Sequence, residues 1–64
     1  MIYTVNGSTR TGGPLTVAEL VDAEAGSREG VAVAINAQVV PASRWHRPIA
    51  EGDAVDILTA VQGG

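Results

Sequence analysis

The stretch Leu15-Thr16-Val17-Ala18-Glu19-Leu20 most restricts how this chain can fold, because it contains every part of a helix start. Thr16 suits the N-cap, Glu19 three residues later completes a capping box, and Leu15 can pack on Leu20 across the cap as a hydrophobic staple. Val17, Leu20 and Val21 recur at helical spacing while Glu19, Asp22 and Glu24 point elsewhere, and Gly26 stands where a helix would end. The spacing predicts one short amphipathic helix over Val17 to Ala25. Its apolar stripe needs a second layer to bury against, and the flanking sequence must supply it.

Both flanks read as strands. Ile2 to Val5 is β-branched and aromatic, Asn6-Gly7 suits the positive φ angles of a type I′ hairpin turn, and Ser8 to Thr11 should return antiparallel. Gly12-Gly13-Pro14 then ends the pairing. After a polar link at Ser27 to Gly30, Val31, Val33 and Ile35 alternate with Ala32 and Ala34, the period of a central strand with small residues on its second face. Asn36-Ala37 reads as a turn into a short edge strand, Gln38 to Val40, stopped by Pro41. Ala42 to Pro48 has no clear period. Glu51-Gly52-Asp53 reads as a turn, and Val55 to Val61 as the last strand, with Val55 and Ile57 on one face and Asp56 and Leu58 on the other.

This order predicts an α+β fold: a mixed sheet of four to five strands with one helix packed across one face. With 64 residues there is room for one small domain, expected over residues 1–61, followed by a flexible Gly-Gly tail at 62–64. The start, Met1-Ile2-Tyr3-Thr4, lacks the basic and apolar regions of a signal peptide, and no apolar run approaches the ~20 residues needed to span a bilayer. A cytoplasmic protein without a membrane partner is expected.

Absent residue types narrow the chemistry. There is no cysteine, hence no disulfide framework, thiolate nucleophile or persulfide carrier. There is no lysine, so a Walker-type phosphate loop and a Schiff base are excluded, and Gly12-Gly13 reads as a turn. Net charge is −3 and the cations are Arg10, Arg28, Arg44 and Arg47, scattered along the chain, which argues against nucleic acid as a partner. No nucleophile, base and orienting group can be assembled, so an enzyme is the least expected class. His46 has no matching second ligand and reads as a loop histidine rather than a metal or catalytic group. Trp45 reads as a cover for one end of the core rather than an interface anchor. Glu51, Asp53 and Asp56 read as solvated surface that could steer the protein onto basic partners.

The remaining candidate is the tail. Gly63-Gly64 offers no Cβ to block a narrow channel, free choice of φ and ψ, and an uncrowded carbonyl. A frayed terminus would look the same on the dipeptide alone. Fully extended, Gln62 to Gly64 would carry the carboxylate ~10 Å from the sheet at about 3.3–3.6 Å per residue. A carboxylate is a poor electrophile, so use as a carrier requires activation by a partner.

The residues Val31-Ala32-Val33-Ala34-Ile35-Asn36, Val39-Val40-Pro41, Trp45, Gly52-Asp53-Ala54-Val55-Asp56-Ile57-Leu58 and Ala60-Val61-Gln62-Gly63-Gly64 resemble the ThiS family, the sulfur carriers of thiamine biosynthesis. Asn6 and Leu15 to Leu20 agree more loosely. The resemblance implies the ubiquitin-like β-grasp fold, with the first and last strands side by side in the middle of the sheet. It also implies a cycle: a ThiF-like adenylyltransferase uses Mg-ATP to adenylate Gly64, sulfur derived from cysteine by a donor such as a cysteine desulfurase displaces AMP, and the thiocarboxylate supplies a ThiG-like thiazole synthase. Gly64 would bear the adenylate and thiocarboxylate, Gly63 would be the slender neck, and Val61 and Gln62 would line the mouth of the partner's channel. The protein would bind no cofactor itself and would be a monomer when free.

Leu58 and Ile2 fall on the sheet face opposite Val55 and Val5, and with Ala60 they are the expected docking patch for both enzymes. Three alternatives stand beside this reading: the small subunit of molybdopterin synthase, whose tail usually carries prolines that Thr59 to Gln62 lacks; a ubiquitin-like protein modifier; and a simple binding module.

Overall fold

A computed structural model describes residues 1–60 of the chain. Five strands and one helix follow the predicted order: β1 (Ile2–Val5), β2 (Ser8–Thr11), α1 (Val17–Ala25), β3 (Val31–Ile35), β4 (Gln38–Val40) and β5 (Ala54–Thr59), with one 3₁₀ turn at Ala42–Arg44. The helix start is built as the sequence predicts. Thr16 Oγ1 accepts from the Glu19 amide at 3.2 Å, and the Thr16 amide donates to Glu19 Oε1 at 2.7 Å. Gly26 closes the helix with φ 73°, its amide donating to the Asp22 carbonyl.

All five strands join one sheet in the order β2-β1-β5-β3-β4. The β1–β5 pair is parallel and the other pairs are antiparallel, so the sheet is mixed and its last strand lies at its centre. Both hairpins turn through two residues of positive φ, Asn6-Gly7 (50°, 85°) and Asn36-Ala37 (51°, 68°), the geometry that matches the twist of the strands it joins.

The core lies between the sheet and α1. Tyr3 and Val5 from β1, Val33 and Ile35 from β3, Val40 from β4, and Val55 and Ile57 from β5 face Val17, Leu20 and Val21 of the helix. Trp45 and Ile49 close this core, and the Trp45 indole donates to the Val40 carbonyl at 2.9 Å. The segment without sequence period is fixed by the helix it packs on. The free amides of Val17 and Ala18 in the first helical turn donate to the Arg47 and Trp45 carbonyls, and Ile49 donates to Leu15.

Two expectations change. The last strand runs from Ala54 to Thr59, beginning one residue before the expected Val55 and ending before Ala60; the expected end at Val61 lies outside the described residues. Asn36 recruits Ala54, its amide donating to the Ala54 carbonyl at 2.8 Å while its Oδ1 accepts from the Ala54 amide at 3.0 Å. At the far end Gly30, with φ 67°, turns β3's approach away, so pairing stops at Val31 and Thr59. Asp53 is not solvated surface. It is 7% exposed and accepts hydrogen bonds from Asn36 Nδ2 (3.1 Å) and the Ala50 amide (2.8 Å), with Arg47 at 3.9 Å. Its carboxylate organises the turn into β5, a role that only the fold around it creates.

Candidate functional site

The expected chemical positions Val61, Gln62, Gly63 and Gly64 lie outside the described residues. What the structure positions is the platform they leave from and the sheet face beside it.

Strand β5 is held on both sides. Toward β3 it pairs over five of its six residues, from Ile35 with Val55 to Val31 with Thr59. Toward β1 the ladder covers only Thr4 with Ala54 and Val5 with Val55, because β1 turns back at Asn6. The Asn6 side chain extends it: Oδ1 accepts from the Ile57 amide at 2.8 Å and Nδ2 donates to the Ile57 carbonyl at 3.2 Å. At the other end of the strand Asn36 holds Ala54 with its side-chain Oδ1 and its backbone amide, while its Nδ2 donates to Asp53. Each hairpin asparagine therefore makes its turn and clamps β5. The sequence signal for both was an Asn opening a type I′ turn, which accounts for the turn alone.

Beyond Thr59 the Ala60 amide donates to the Gly30 carbonyl at 2.7 Å. A Cβ on Gly30 would lie 3.3 Å from the Ala60 Cβ, tighter than an ordinary contact, and Gly30's φ of 67° already disfavours a side chain. The sequence placed Gly30 in a polar link and gave no hint of this contact.

The second face of the sheet has no covering layer among the described residues. Leu58 is 69% exposed and Ile2 51%, as expected for that face. The register separates them, however. Thr4 is level with Ala54, so Ile2 is level with Gly52, whose amide donates to its carbonyl, and Leu58 lies six residues further along. At about 3.3 Å per residue this puts them roughly 20 Å apart. The neighbours of Leu58 are instead Ala32, directly opposite on β3, with Ala34 and then Val39 of β4 next across the face. Val39 is 80% exposed, at a position the sequence marks only as part of an edge strand. Leu58, Ala32, Ala34 and Val39 thus form an apolar strip interrupted by exposed Asp56, while Ala60 stands exposed past its end and Ile2 marks the other end of the sheet.

Elsewhere two ion pairs stand on the surface around the helix. Arg10 grips Glu24 through two hydrogen bonds of 2.9 Å, and Arg28 grips Asp22 through bonds of 2.9 and 2.8 Å. These bonds hold both carboxyl groups below the usual carboxylate range. An open depression of about 330 Å³, lined by Val39, Val40, Pro41, Arg44, His46 and Arg47, lies along β4 on the far side of β3 from β5. Exposed His46 stands at its rim, and no group of acidic and histidine side chains suited to a metal ion exists among the described residues. No helix among them is long and apolar enough to cross a membrane.

A mixed sheet of this order, with parallel first and last strands at its middle and one helix on one face, defines a ubiquitin-like β-grasp protein. The ThiS family model matches residues 3–64, and the chain belongs to the ThiS family. Among solved structures it is similar to the crystal structure of the thiamine biosynthesis protein ThiS from Geobacter metallireducens, with 33% identity, full coverage of both chains and a TM-score of 0.80. It is equally similar to the solution structure of a thiamine biosynthesis protein from the same organism, with 33% identity, coverage of 100% of this chain and 88% of that one, and a TM-score of 0.81. Comparison with curated proteins gave no match.

Proposed function

We propose that this protein is a sulfur carrier of thiamine biosynthesis and acts as a protein co-substrate rather than an enzyme. The observation that carries this reading is the reach of the family match, which runs from β1 through Gly63-Gly64. In the proposed cycle a ThiF-like adenylyltransferase binds Mg-ATP, and a carboxylate oxygen of Gly64 attacks the α-phosphorus, releasing pyrophosphate and leaving an acyl-adenylate. A sulfur nucleophile, drawn from cysteine by a donor such as a cysteine desulfurase, adds to the Gly64 carbonyl and expels AMP. When that nucleophile is the donor's persulfide, the product is an acyl disulfide, and a thiol reductant cleaves its S–S bond, itself becoming a disulfide, to leave the thiocarboxylate. A thiazole synthase takes the sulfur, and an oxygen from water or from the sulfur acceptor replaces it on the Gly64 carbonyl carbon to return the carboxylate. Gly63 and Gly64 suit this passage because they carry no side chain into a channel and leave the carbonyl open to attack.

The rest of the molecule serves recognition. The apolar strip around Leu58 adjoins the end of β5, so a partner covering it would have the tail at hand. Burial of such a patch supplies affinity, and the exposed carboxylates Glu51 and Asp56 add attraction toward basic partners.

The test is mass spectrometry of the intact protein after incubation with ATP, a sulfur source and the activating enzyme. The expected product carries one sulfur in place of one oxygen, located at Gly64 by fragmentation. A chain lacking Gly64 should show no such product and support no thiazole formation. Unchanged thiazole formation by that truncated chain would refute the carrier role.

A further inference from the structure

The chemistry proposed above requires two events at once: the sheet face must seat on a partner while the tail reaches a fixed point inside it. The junction between body and tail is Ala60, and one contact holds it. We propose that Gly30 is a positioning residue for the tail, a latch that fixes Ala60 against the start of β3 and so sets where the terminal carboxyl group is delivered. This inference rests on the carrier reading and specifies how the fold serves it.

Three observations converge on Gly30. Its carbonyl accepts the Ala60 amide at 2.7 Å, one residue past the last ladder pair of β3 and β5. Its missing Cβ leaves room for Ala60, since a Cβ there would lie 3.3 Å from the Ala60 Cβ. Its φ of 67° turns the chain out of the sheet where Ala60 needs an acceptor rather than another strand residue. Gly7, Gly26 and Gly52 also have positive φ, but a Cβ on any of them would meet nothing within 4 Å. Gly30 is the one described glycine at which conformation and close approach coincide.

The latch matters because of length. Four residues follow Ala60, and fully extended they span only ~13 Å at about 3.3 Å per residue. If Ala60 leaves Gly30, the anchor moves back into β5. The freed chain then samples more conformations, and the effective concentration of the carboxyl group at its target falls. Seating of the sheet face is unaffected. The latch should therefore govern turnover after docking rather than docking itself.

The test is the kinetics of ATP-dependent adenylation by the activating enzyme, with melting temperature measured alongside. Gly30→Ala should lower kcat severalfold with KM nearly unchanged, and should lower the melting temperature because of its positive φ. Gly30→Asn, which tolerates that φ better, should recover melting temperature but not kcat, because it keeps the Cβ. Adding Ala60→Gly to Gly30→Ala removes the facing methyl and should restore kcat while the melting temperature stays low. A purely structural role would instead raise apparent KM in step with the unfolded fraction. The inference is overturned if Gly30→Ala turns over at the wild-type kcat, or if the double variant is no faster than the single one. Either result leaves the carrier reading intact, whereas wild-type protein that cannot be adenylated at all refutes that reading.

Discussion

Ala37 occupies a position that its turn reserves for glycine. In the Asn36-Ala37 turn both residues have positive φ, and Ala37 at 68° carries a Cβ into a region that L-residues avoid. The other hairpin uses Gly7 at the equivalent place. Ala37→Gly should therefore stabilise the fold by about 0.5–1 kcal/mol after allowing for the greater freedom of glycine in the unfolded chain. A higher urea midpoint with an unchanged slope would show it. Asn6 is the converse case, a residue whose side chain stands in for a missing strand. Asn6→Ala leaves the amide and carbonyl of buried Ile57 without those partners and should cost ~1–3 kcal/mol. Hydrogen exchange should localise the loss to the amides of β5, with those of β4 less affected.

At the scale of elements, the helix is held mainly by its apolar stripe and only marginally by its charges. Leu20 is almost fully buried between α1 and the sheet, so Leu20→Ala should cost ~2–5 kcal/mol. Trp45 is the only tryptophan and lies in the same core, so its fluorescence reports the transition directly. The Arg10–Glu24 pair ties β2 to α1 across the surface. Because Arg10 lowers the Glu24 pKa in the folded state, the contribution is present above the ordinary value of 4.5 and is lost as pH falls through the lowered folded value. Glu24→Gln should then lower the melting temperature slightly at neutral pH and not at all in strong acid. High salt should shrink the neutral-pH difference, since the pair is exposed.

For the whole molecule, one sheet face builds the core and the other has no covering layer among the described residues, which is why the proposed function assigns it to a partner. Leu58→Asp changes only the uncovered face, so melting temperature should barely move. Affinity for the activating enzyme and for the synthase should each fall about ten- to a hundredfold, corresponding to the ~1.5–3 kcal/mol of burying a leucine. Titration calorimetry with each partner measures this. Equal affinities for wild type and variant would remove the Leu58 strip as the docking surface. Ile2→Asp, ~20 Å away along the same face, offers a comparison that separates one continuous patch from two.

Local chemistry determined much of this protein before any tertiary contact. The capping box at Thr16 and Glu19, the Asn-led turns and the alternation in Val31 to Ile35 each act within a few residues, so their signals are complete in the sequence. The carrier reading of Gly63-Gly64, which lie outside the described residues, came instead from the resemblance carried by the second half of the chain, because the dipeptide alone reads equally as a frayed end. What needed the fold depended on partners distant along the chain. Asp53 is buried because Asn36 and Ala50 close around it, the Trp45 segment is ordered by the first turn of α1, and Gly30 meets Ala60 across half the sequence. Ile2 and Leu58 share a face by alternation, yet only the parallel register of β1 on β5 sets the distance between them. Periodicity determines which way a side chain points, and only strand pairing determines what it points beside.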